Sequence, residues 1–82
     1  MKTHKVHIDI SNIYNDIKKF NIREYYQPFI VTFVQAKNPD DACHKILVDI
    51  IQKIIKKDDS IKMRIFCRSI RYKIRFDKIY TS

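Results

Sequence analysis

Ile61-Lys62-Met63-Arg64-Ile65-Phe66-Cys67-Arg68-Ser69-Ile70-Arg71-Tyr72-Lys73-Ile74-Arg75-Phe76-Asp77-Lys78-Ile79-Tyr80 is the stretch on which the fold of this chain turns. Met63, Ile65 and Cys67 are apolar at odd positions, and Ile70, Tyr72, Ile74 and Phe76 at even ones. A strand holds a period of two, so a strand reading needs one added residue near Arg68-Ser69, as a β-bulge or a tight hairpin turn. One uninterrupted strand would span roughly 65 Å, too long for a domain of this size. The pattern therefore predicts two strands, or one sharply bent pair.

That register gathers charge. Lys62, Arg64 and Arg68 alternate with apolar residues before the break, and Arg71, Lys73 and Arg75 after it. One added residue puts all six on a common outward sheet face. Residues 61–82 hold seven cations against one acid, a net +6 of the chain's +8, and four of its five arginines. Guanidinium forks suit phosphate. Phe66 shares the basic face in this register and is placed to stack on an unpaired base. The expected binding set is thus Lys62, Arg64, Phe66, Arg68, Arg71, Lys73, Arg75 and Lys78. The plain alternative is a solvated or edge-guarding basic face, with Phe66 packed on a helix or a partner subunit.

Upstream, Asn38-Pro39-Asp40-Asp41 opens a helix: an N-cap, a proline at the first helical position, and two acids at the positive dipole end. The helix runs to about Lys57. Ala42, Cys43, Ile46, Leu47, Ile50, Ile51, Ile54 and Ile55 form a double i, i+4 stripe for packing on a sheet. Before it, Phe29 to Ala36 is a continuous β-branched and aromatic run, which predicts a central strand covered on both faces. Lys5 to Ile10 alternates, with Val6, Ile8 and Ile10 inward. Ser11 is then expected to cap a short helix carrying Ile13, Tyr14, Ile17 and Phe20 on one face.

The order β-α-β-α-β-β predicts a single α+β domain over residues 1–82. Its architecture is a two-layer sandwich with a mixed sheet of three or four strands and helices on one face. Glycine is absent. That removes every phosphate-cradling glycine loop, and with it P-loop and dinucleotide-fingerprint chemistry. Cys43 and Cys67 sit at apolar positions and read as free buried thiols. No apolar run has signal-peptide or membrane-span length, so a cytoplasmic setting and no membrane partner are expected.

No metal site or cofactor is expected. His4 and His7 point to opposite faces of a strand, and the two cysteines with His44 lack zinc-type spacing. His7 and Asp9 share a strand face and are the only candidate acid–base pair, the basis of a residual small-ribonuclease reading. The charge distribution favours a non-enzymatic binder of nucleic acid, RNA or single strands over duplex DNA. A homodimer joined through an edge strand is the duller alternative.

The compact, isoleucine- and lysine-rich chain resembles small phage-encoded proteins, anti-CRISPR inhibitors among them. The likeness is one of style over the whole length, with no motif and no transferable residue roles. It implies a nucleoprotein target, a nuclease–guide RNA complex, and an inhibitor acting on it.

Overall fold

A computed structural model describes residues 1–20 and 27–81. Three strands, β1 (Lys2–Asp9), β2 (Phe29–Ala36) and β3 (Arg75–Thr81), form one sheet in the order β2-β1-β3. Both neighbouring pairs are antiparallel, so the sheet is not mixed, and β2 and β3 run parallel to each other on either side of β1. The helices are α1 (Tyr14–Ile17), continued by a 3-10 turn over Lys18–Phe20, then α2 (Pro39–Lys57) and α3 (Ile61–Lys73). The α+β class and the two layers are as expected. The element order is not, because a third helix occupies most of the segment read as paired strands.

β1 turns His4, Val6 and Ile8 into the core, and Ile10 is buried just beyond its end. α2 packs across all three strands. Its cap is as the residues imply: Asn38 Oδ1 accepts from the Asp41 amide at 2.8 Å, and Asp41 Oδ2 accepts from the Lys37 amide at 3.0 Å. Ala42, Ile46, Ile50 and Ile54 are its buried row. Leu47, Ile51 and Ile55 form a second, half-buried row beside it. Ser11 does not cap α1; its amide instead donates to Asp9 Oδ1 at 2.8 Å, and Ile13 takes the cap position without a side-chain bond.

α3 is helical because the helical period fits its buried residues better than the strand period does. Met63, Cys67, Ile70 and Ile74 are buried at spacings of four, three and four. Ser60 caps it, its Oγ accepting from the Met63 amide at 3.2 Å. Ile65 and Tyr72, both inward in a strand, are exposed. The second apolar row of α2 supplies the tertiary reason, since α3 packs against that helix. The bulge or hairpin expected near Arg68-Ser69 does not exist, because both residues lie inside α3; a separate register shift in the β1–β3 pairing leaves Asp77 as the extra residue, with His7 opposite Lys78 and Ile8 opposite Phe76. β2 is an edge strand, not a central one.

His4 fastens the two edge strands to the centre. Its fully buried ring lies 3.2 Å from the Ala36 carbonyl through Nε2 and 2.9 Å from Thr81 Oγ1 through Nδ1. A carbonyl only accepts, so Nε2 carries a proton and donates to it, while Nδ1 shares the second bond with the Thr81 hydroxyl.

Candidate functional site

The cations of residues 61–78 do not share a sheet face. Six of the eight expected binding residues, Lys62, Arg64, Phe66, Arg68, Arg71 and Lys73, lie on α3, and only Arg75 and Lys78 lie on β3. At 100° per residue the helix sorts its members into two groups. Arg64, Arg68 and Arg71, at i, i+4 and i+7, form one row. Lys62, Phe66 and Lys73 fall on the opposite flank.

The arginine row lines a groove between α2 and α3 with a volume of about 480 Å³, together with Ile51, Ile55 and Tyr72. Arg64 is held by Asp59 at 2.6 Å. Arg68 and Arg71 have no carboxylate partner among the described residues. Like charges at i, i+3 and i+4 oppose helix formation. Lys62 and Arg64 also sit in the first turn, where no acid offsets the positive dipole end. α3 therefore holds five cations and no acid against its own helical preference, and packing on α2 retains it. Cys67 also lines this groove. Burial pushes its thiol up, against a smaller opposing pull from Arg64, so it stays protonated and unreactive at neutral pH. Burial, with help from Asp40, raises Cys43 too.

On the other flank, Phe66 is half-buried and Lys73 Nζ lies 5.9 Å from its ring centroid. Lys62, Lys19 and Phe20 join them around a smaller cleft that Asp16 also lines. Phe66 is thus engaged by its own helix and is not presented on an open sheet.

The sheet face turned away from α2 is bare. β2 places Phe29, Val31 and Phe33 there, and β3 places Tyr80; the three rings are 63%, 67% and 53% exposed. β1 runs between them. Lys5 is paired with Phe33 on one side and Tyr80 on the other, His7 with Val31 and Lys78, and Asp9 with Phe29 and Arg75. The His7 and Tyr80 rings meet edge to face at 5.7 Å. Sequence reasoning missed Phe29, Phe33 and Tyr80. The available signal was Gln35, a polar residue in phase with Phe29, Val31 and Phe33, which marks the odd face of β2 as the uncovered one.

His7 and Asp9 share the outward face of β1 as expected, with no hydrogen bond between them among the described residues. Asp9 is engaged by the Ser11 hydroxyl and amide, which with the charge on Arg75 hold its carboxyl below the usual range. No three His, Cys, Asp or Glu side chains among the described residues converge as a metal site. No helix among them is long and apolar enough to cross a membrane. No family model, curated protein or solved structure matches the chain.

Proposed function

We propose that this protein binds nucleic acid without acting on it chemically, and that α3 supplies the phosphate contacts. The observation that carries this reading is the row of Arg64, Arg68 and Arg71 along an open groove, with two of the three guanidinium groups lacking an acid among the described residues. Guanidinium forks match phosphate oxygens, and a polyanion relieves the repulsion that α3 bears when free.

The test compares wild type with the Arg68→Ala/Arg71→Ala double variant on fluorescent RNA, single-stranded and duplex, across a salt series. Wild-type affinity should fall steeply with salt. The variant should bind at least roughly tenfold more weakly, with a salt slope smaller by about 2. Its thermal stability should be equal or higher, because a like-charge row has been removed. Wild type that binds no nucleic acid, or a folded variant that binds as well as wild type, refutes the proposal.

A further inference from the structure

We infer that the bare face of the sheet is a stacking platform for unpaired bases, so that the nucleic acid bound is single-stranded. This rests on the nucleic-acid reading above and narrows it.

The argument begins with what the face does not do for folding. The even residues of β2 face α2 and the core, whereas Phe29, Val31 and Phe33 contribute to neither. Two phenylalanines and a tyrosine left in water on one face of a small domain need an occupant. The face alternates rings with cations: Lys5 lies between Phe33 and Tyr80, and Lys78 lies beside His7. A cleft of about 280 Å³ runs among His7, Phe29, Val31, Asp77, Lys78 and Tyr80.

The chemistry selects among occupants. A second copy related by a twofold axis would take Lys5, Lys78 and Arg75 out of water with only Asp9 and Asp77 of the facing surface to pair them, a desolvation cost that a solvated strand does not impose. A duplex hides its base faces in the stack and offers this surface only phosphates. An unpaired strand offers both halves of the match: planar bases for the three rings and a phosphate backbone for the cations between them. Two acids share the face, Asp9 beside Arg75 and Asp77 in the bulge next to Lys78, which leaves Lys5, flanked by the Phe33 and Tyr80 rings, as the cation set between two aromatic side chains.

The experiment uses two labelled strands of roughly 12 nucleotides, an oligouridine and an abasic strand with the same backbone but no bases. The proteins are wild type, Phe29→Ala/Phe33→Ala and Arg68→Ala/Arg71→Ala, each checked for folding by circular dichroism. Wild type should prefer the oligouridine. Removing the two phenylalanines should weaken oligouridine binding by roughly tenfold or more and leave abasic binding unchanged. Removing the two arginines should weaken both. If the phenylalanine variant binds oligouridine like wild type while the arginine variant does not, the platform is overturned and the phosphate reading stands. The same holds if wild type prefers a duplex. If sedimentation shows that the phenylalanine variant turns a dimer into a monomer with no change in oligouridine affinity, the face belongs to a second copy and the inference fails. If wild type binds neither strand nor duplex, both proposals fall.

Discussion

Ser69→Pro puts the helical assignment of residues 61–73 to a direct test. In a strand pair broken near Ser69, proline at the break is tolerated, since bulges and turns accept it. In α3 the same residue lies inside the helix, between buried Cys67 and Ile70. Proline there removes an amide bonded four residues back and drives its ring into that turn, a loss of about 3 kcal/mol or more. A domain of this length holds only about 4–12 kcal/mol in total. The midpoint of thermal unfolding should therefore drop by roughly 12 °C or more. Ser69→Ala is the matched control. It deletes the 2.7 Å bond from Ser69 Oγ to the Phe66 carbonyl but gains helical preference. The two effects nearly offset, and the control should stay within about 1 kcal/mol of wild type. Urea denaturation followed at 222 nm measures both variants. If Ser69→Pro lies within about 1 kcal/mol of the alanine control, α3 is not helical through Ser69 and the reasoning fails.

Two further outcomes follow from internal contacts. His4→Ala should destabilise the domain by about 2–4 kcal/mol, because it opens a cavity and removes the buried bond to the Ala36 carbonyl along with the Thr81 contact; a loss below about 1 kcal/mol in urea titration would show that the clasp is idle. The Lys37 amide, with the charges of Lys45 and Lys37, holds the Asp41 carboxyl below its ordinary value of 3.8. A lowered carboxyl stabilises the fold above that value, and its contribution is lost as pH falls through and below it. Thermal melts of wild type and Asp41→Asn should thus differ at pH 6 and converge towards pH 3, and a gap that stays constant would contradict the assignment.

Different parts of the fold were legible for different reasons. α2 could be bounded from residues alone because Asn38, Pro39, Asp40 and Asp41 each mark the same helical start, and the apolar stripe then keeps one period to its end. β1 was legible from alternation over Lys5 to Ile10, though not its extension back to Lys2. α3 was not, because its isoleucines, tyrosine and phenylalanine satisfy two periods at once. Met63, Cys67, Ile70 and Ile74 fit a helix, and adding Ile65, Tyr72 and Phe76 fits a broken strand. Ser60 could have settled the choice. A capping residue three before Met63 favours the helix, and the strand reading needed an irregularity that the helix does not. The binding set suffered the same error: its charge was read correctly, but a different period sends Arg68 and Lys73 to opposite flanks. On β2 the fault lay elsewhere. A run of apolar residues cannot say which of its faces is covered, and only Gln35 near its end marks the odd one as open.

The two faces of β2 have separate tasks. Ile30, Thr32, Val34 and Ala36 look inward, while Phe29, Val31, Phe33 and Gln35 look out. Every second letter of that octapeptide can then be rewritten without disturbing the architecture beneath. Together with the outward letters of its two sister strands, it makes a small grafting panel. That panel can be redesigned at the bench while the isoleucine interior stays fixed.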